Sequence, residues 1–135
     1  MTELKHKELT EKIIGASMKV HSKLGNGFPE VIYQRALEIQ LIEENVIFQR
    51  ECSMAIYYNN IKIGDRRVDF LVENKICVEL KAIVLLEPVH FAQARNYLEA
   101  FNLEVGLLIN FGSISLGFKR IENPKFKSMT NPINP

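Results

Sequence analysis

The sequence predicts an α/β sandwich built on a mixed sheet, and three observations carry that class. Apolar residues recur at three and four positions over the first third of the chain, which is the helical period. From Val46 the period falls to two, as in strands joined by tight turns. One further helical stretch, beginning near Pro88, then leads to a nearly all-apolar segment, the signature of a crossover into a buried parallel strand. No internal repeat and no long linker divides the 135 residues.

The elements follow in order. From about Glu8 to Leu24, the residues Leu9, Ile13, Ala16, Val20 and Leu24 trace one helix face. Gly25-Asn26-Gly27 stops this helix, since glycine takes the left-handed cap conformation without a Cβ penalty. Pro29 suits the first turn of a second helix, reaching about Glu44, with Tyr33, Ala36, Leu37, Gln40 and Leu41 on one side and Asn45 as its cap. Val46 to Arg50 and Ser53 to Tyr58 read as one long bent strand, turned at Asn59-Asn60. Ile61, Ile63 and Arg67 to Val72 form the next strand, Glu73-Asn74-Lys75 turns it, and Ile76 to Ala82 returns. The helix from Pro88 to about Phe101 directs Phe91, Ala94, Tyr97, Leu98 and Phe101 to the core. Val105 to Asn110 and Ser115 to Ile121 complete the strands. The expected organisation is one domain over residues 1–122 and a disordered tail over 123–135, where three prolines and three asparagines cluster.

Composition narrows the function classes. Hydrophobic residues at 47% and charged residues at 24% match soluble globular chains, and seven glycines with five prolines are too few for a collagen-like or disordered one. A chain of this length buries about two-thirds of its unfolded surface, so it needs no disulfide or metal to fold. The longest apolar run, Ala82 to Leu86, falls far short of the ~18–20 residues that cross a bilayer. The opening MTELKHKELTEK is charged and has no apolar core of a signal peptide. The expectation is therefore a cytoplasmic protein without membrane contact. Cys52 and Cys77 lie in strands at no metal-binding spacing and are expected as reduced core thiols. Net charge is +1, so any nucleic-acid contact must come from a local patch.

The informative residues are charges standing where strands expect apolar side chains. Asp69 lies between Val68 and Phe70, and Glu79 and Lys81 interrupt Ile76-Cys77-Val78-Glu79-Leu80-Lys81-Ala82. A buried charge must be paired or hold a cation. Alternation puts Glu79 and Lys81 on one face of their strand. If Glu73-Asn74-Lys75 is a three-residue loop, Val72 pairs with Ile76, and counting back sets Asp69 opposite Glu79, about 4.5–5.5 Å apart at Cβ. Two carboxylates at that distance repel, and a hard divalent cation resolves the conflict. Lys81 lies about 6–7 Å further along the strand, within reach of a water or a phosphate oxygen. Two readings of this pattern stand: a metal site, or an Asp69–Lys81–Glu79 ion-pair network without chemistry.

Gly27-Phe28-Pro29-Glu30-Val31-Ile32-Tyr33 is a GxxExxY motif. Together with Asp69, Val78-Glu79-Leu80-Lys81-Ala82, Gln93-Ala94-Arg95-Asn96-Tyr97-Leu98 and Gly106-Leu107-Leu108-Ile109-Asn110-Phe111-Gly112, it makes the chain resemble the GxxExxY proteins, a branch of the PD-(D/E)XK nuclease superfamily. The resemblance runs from about Leu9 to Ile121. It implies a restriction-endonuclease-like αβββαβ core, with the first helix and the last strand as additions. It also implies that Asp69, Glu79, Glu30 and the Leu80 carbonyl hold Mg²⁺, with Mn²⁺ as the alternative ion. Lys81 would then orient the attacking water and stabilise developing charge. Gln93 and Tyr97 resemble the QxxxY element of RecB-like exonucleases and would contact substrate or support the catalytic strand. Tyr33 reads as a core residue whose hydroxyl bonds near the site. Arg66, Arg67 and Arg95 are candidates to grip phosphates, against the plain reading of surface arginines. His90, beside Pro88, reads as a capping or solvent-facing residue.

The expected function is a Mg²⁺-dependent nuclease acting on nucleic acid, with DNA ahead of RNA. Asp69, Glu79, Lys81 and Glu30 would be its catalytic residues. The alternatives are a non-catalytic nucleic-acid-binding or protein-interaction module that keeps the nuclease fold, and a subunit that works as a homodimer or beside a larger protein partner.

Overall fold

The computed structural model describes residues 6–128. Its elements are α1 (Lys7–Leu24), α2 (Glu30–Glu43), β1 (Phe48–Tyr58), β2 (Ile61–Val72), β3 (Ile76–Lys81), α3 (Pro88–Phe101), β4 (Val105–Asn110) and β5 (Gly117–Glu122). The order matches the expected one, and five strands form a single sheet in the order β1-β2-β3-β4-β5. The β1–β2, β2–β3 and β4–β5 pairs are antiparallel, while β3 and β4, joined by the α3 crossover, are parallel. The sheet is therefore mixed and flanked by helices, as the periods predicted.

The turns have local causes. Gly25 ends α1 at φ 78°, where a side chain would be strained. Asn59 and Asn60 both take positive φ, the form a two-residue hairpin turn needs. Asn45 is left-handed just past α2, consistent with its capping position. At α3, Glu87 and His90 cap reciprocally, and the Glu87 N–H donates to His90 Nδ1 at 2.9 Å.

Two apolar clusters sandwich the sheet. Ile13, Ala16, Val20, Tyr33, Leu37 and Leu41 from α1 and α2 pack on Phe70, Val72, Val78, Leu80, Leu107 and Ile109. A smaller cluster joins Leu98 and Leu103 to Val68, Leu71, Cys77 and Ile121, with Phe91, Ala94 and Phe101 at its edge. Only Leu98 of α3 is fully buried, because one short helix covers that face. Burial pushes the Cys77 thiol far up, which keeps it neutral and unreactive. On α2 the polar residue drawn into the protein is Gln34, and Gln40 is only partly covered.

Of the expected tail, residues 123–128 are described, and they bond to the end of α3. Asn123 is buried, and its Nδ2 donates to the carbonyls of Leu98 and Leu103 at 3.1 and 3.0 Å. Asn102 and Lys127 exchange two hydrogen bonds at 2.9 and 3.0 Å. The chain after β5 thus adds side-chain hydrogen bonds to carbonyls at and just beyond the end of α3. The remainder of the expected tail, and residues 1–5, lie outside the described residues.

Candidate active site

The site begins where β2 leaves β3. Val72, Leu71 and Phe70 pair with Ile76, Cys77 and Val78, in the register counted from the three-residue loop, and the ladder then stops. The next residue back is Asp69. On its other side the β1–β2 ladder passes from Arg50↔Phe70 to Cys52↔Val68, and the intervening Glu51 takes a left-handed φ of 55°. Val68 and Phe70, two residues apart, consequently fall in different apolar clusters. The strand is bent at Asp69. The Asp69 side chain replaces the missing ladder bond, its Oδ2 accepting the Leu80 N–H at 2.7 Å.

The other oxygen of Asp69 is held by a residue the sequence pattern did not single out. Gln34 Nε2 donates to Asp69 Oδ1 at 2.8 Å. Gln34 Oε1 accepts from Arg50 Nε and Nη2 at 3.1 and 2.8 Å, and Arg50 Nη1 reaches Glu38 at 3.2 Å. The two-donor fork from Arg50 fixes which end of the Gln34 amide faces Asp69. A chain of contacts from α2 and β1 thus orients the carboxylate.

Glu79, in the middle of β3, is only 5% exposed. Its pKa is pushed up to about 8, first by burial, then by the negative charge of Asp69, with Arg66 opposing and a hydrogen bond to Asp69 adding to the rise. At neutral pH the proton therefore stays on Glu79. Arg66 Nη2 pairs with Glu79 Oε1 at 3.2 Å, and the guanidinium lies 4.9 Å from the Tyr97 ring centroid. Arg66 Nε is buried with no hydrogen-bond partner. The expected ion-pair network is thus altered: Arg66, and not Lys81, is the direct partner of Glu79. Lys81 makes no ion pair among the described residues, although its charge acts on both Glu79 and Glu30.

Glu30 opens α2. The residue is exposed by surface area, yet crowding around its carboxyl raises its pKa, followed by the charge of Asp69, while Lys81 and Arg66 oppose. Glu30, Asp69, Glu79, Lys81 and Arg66 therefore form one electrostatic neighbourhood drawn from α2, β2 and β3. Among the described residues, however, no three Asp, Glu, His or Cys side chains converge closely enough to hold a metal ion. Asp69 and Glu79 supply a hydrogen-bonded pair of hard oxygen donors, the type a divalent cation takes. Their chemistry suits such an ion, and the third acid stands apart from the pair.

The remaining expected residues divide. Tyr97 reaches the site through Arg66 and stacks on Phe101, whereas Gln93 is exposed and has no hydrogen bond among the described residues. Tyr33 is fully buried and stacked on Phe111 at 4.7 Å; its hydroxyl donates to the Gly25 carbonyl and accepts the Phe28 N–H. It ties down the corner between α1 and α2. Leu80 meets Asp69 through its N–H. Arg67 pairs with Glu51 at the surface, and Arg95 is exposed.

The exit of β3 is clamped by a buried asparagine. Asn110, 1% exposed, accepts the N–H groups of Ile83 and Gly112 at 3.0 Å each and donates to the Ile83 carbonyl at 2.9 Å. The Phe111 N–H donates to the Lys81 carbonyl at 2.8 Å. A Cβ on Gly112 would lie 2.4 Å from both Ile83 N and Ile83 O, so only glycine allows this approach. Lys81 is thereby fixed in its backbone while its side chain stays free.

A model of the PD-(D/E)XK nuclease superfamily matches residues 7–121. No curated protein matches the chain. Among solved structures, the crystal structure of SSO0001 is similar at 24% identity and a TM-score of 0.55, covering 70% of this chain and 50% of that one. This chain thus spans half the length of that protein. The alkaline exonuclease LHK-Exo from Laribacter hongkongensis is similar at 13% identity and a TM-score of 0.51, covering 91% of this chain and 72% of that one. At these identities the likeness is one of fold. No described helix is long and apolar enough to cross a membrane.

Proposed function

Because the chain belongs to the PD-(D/E)XK nuclease superfamily, we propose that it hydrolyses phosphodiester bonds in nucleic acid, DNA in preference to RNA, as a member of the GxxExxY branch. The observation that carries this reading is the pairing of Asp69 with the buried Glu79 on adjacent strands, beside Lys81, which has no ion-pair partner among the described residues. Asp69 and Glu79 would hold Mg²⁺ or Mn²⁺, with Glu30 and the Leu80 carbonyl as further donors. Such an ion supplies an activated water and stabilises charge on the phosphoryl oxygens. Gln34 and Arg50 hold the Asp69 carboxylate in one orientation, which limits the reorganisation needed for binding. Lys81 places an ammonium where negative charge develops in the transition state. Tyr97 supports the site by holding the Arg66 guanidinium, and Gln93 faces solvent where substrate would approach. The protein would act in the cytoplasm.

A second reading is favoured by two observations: Arg66 already occupies Glu79 Oε1 at 3.2 Å, and three acidic ligands do not converge among the described residues. On that reading the fold is a non-catalytic nucleic-acid-binding module. The two are separated by incubating the protein with labelled single-stranded, duplex and branched DNA and with RNA, in Mg²⁺ or Mn²⁺, beside Lys81→Ala. Cleavage that the substitution abolishes supports the nuclease. Binding without cleavage, by protein shown to be folded, supports the module.

A further inference from the structure

Helix α2 has two faces with different partners. One buries Tyr33, Gln34, Leu37 and Leu41 within the protein. The other leaves Val31, Ile39 and Ile42 at 41%, 59% and 60% exposure, with Ile47 at 73% just beyond the helix. Single exposed apolar residues need no explanation, but a contiguous row on one helix marks a binding surface. A helix that is apolar on both sides is normally covered on both.

The charges in this row say what covers it. Arg35, Ile39 and Glu43 are spaced four residues apart and form one ridge, with the two charges equally distant from Ile39. Both Arg35 and Glu43 are exposed, and neither has an ion-pair partner among the described residues. A pattern with opposite charges placed symmetrically about an apolar centre is complementary to its own reverse. Two-fold symmetric interfaces require that property, because the same patch serves both partners.

We infer that the exposed face of α2 pairs with the same face of a second copy of this chain, antiparallel and centred on Ile39. Ridges of the i±4 type then lie side by side at a crossing of about 50°. Ile39 and Ile42 of the two copies pack together, and Arg35 of each copy meets Glu43 of the other. Nine residues at about 100° each place Glu30 on the side of the helix away from Ile39, so the pairing leaves the candidate active site open. The inference is independent of the nuclease reading, since it rests on a different face of the helix.

The test is sedimentation velocity on the full chain, from about 10 μM to about 1 mM, the range expected for an interface of modest area. Wild type should pass from monomer to dimer. Arg35→Glu and Glu43→Arg should each weaken the dimer roughly tenfold or more, because like charges then face each other. An equimolar mixture of those two single variants should form a heterodimer, since every facing pair in it is again opposite in sign. The double variant should recover self-association. Both positions are exposed, and circular dichroism checks that each variant is folded. A wild type that stays monomeric throughout, or a dimer indifferent to both reversals and to Ile39→Ser, overturns the proposal. Failure of the mixture to associate, with folded variants, also overturns it.

Discussion

Replacing Glu79 by glutamine should stabilise the fold at high pH while removing the chemistry. The Glu79 pKa is about 8 in the folded protein, against an ordinary value of 4.5. Between these values the native state holds a proton that the unfolded chain releases. Stability must then fall as pH rises through that window and be fully recovered below it. At about 1.36 kcal/mol per pH unit, the whole displacement sets an upper bound of about 5 kcal/mol at pH 9. Allowing for relaxation around the ionised group, a loss of about 2–4 kcal/mol is the working figure. Glutamine fills the same space and does not ionise, so Glu79→Gln escapes this loss. Packing costs of the substitution are the same at both pH values and cancel in the comparison. The assay is urea unfolding followed by circular dichroism, with chelator present, for wild type and Glu79→Gln at pH 5 and pH 9. The difference in unfolding free energy should move in the variant's favour by about 2–4 kcal/mol between the two. A difference that does not change with pH would refute the claim that burial and Asp69 hold the proton on Glu79.

Three further outcomes follow from the same geometry. Mg²⁺ or Mn²⁺ should raise the melting temperature of wild type more at pH 8 than at pH 6, because the cation competes with the Glu79 proton, and should leave Glu79→Gln almost unmoved in differential scanning fluorimetry. Gln34→Ala removes the donor to Asp69 and the acceptor for Arg50, costing about 1–3 kcal/mol in urea unfolding and lowering cation affinity in calorimetric titration. Asn110→Ala, which strips three part-buried hydrogen bonds from the exit of β3, should cost about 2–4 kcal/mol in the same unfolding measurement.

The element order was legible because apolar period alone distinguishes the helices from the hairpin strands, and the hairpin register followed from the loop length at Glu73-Asn74-Lys75. Glu79 and Lys81 were legible for a simpler reason: a charge inside a strand buried on both faces is conspicuous. Gln34 and Arg50 were not. Glutamine is ordinary on a helix, and its role depends on a bend at Asp69 that brings α2 against the end of a ladder. The one available signal was its position among Tyr33, Leu37 and Leu41. Arg66 was recognised as a charge near the site, but its partner could not be read, since pairing across β2 and β3 depends on where the ladder stops. The anchoring of residues 123–128 is not visible in composition: proline and asparagine favour disorder in general, yet Asn123 donates to the carbonyls of Leu98 and Leu103 and accepts the Lys125 N–H. Among the described residues, the acidic ligands expected to converge as three appear as a pair with Glu30 apart, since the placement of α2 on the sheet is set by tertiary packing and not by local sequence.

Whether the Asp69–Glu79–Lys81 constellation cleaves phosphodiesters is decided by divalent-cation-dependent nuclease activity of wild type beside Lys81→Ala. Lys81 is partly exposed and holds no ion pair among the described residues, so its removal leaves the fold intact. Wild type should cleave at least one nucleic-acid substrate with Mg²⁺ or Mn²⁺, and the substitution should reduce cleavage about 100-fold or more, as for loss of a group that stabilises transition-state charge. Equal cleavage by both proteins, or none by folded wild type on any substrate with either ion, would contradict that reading.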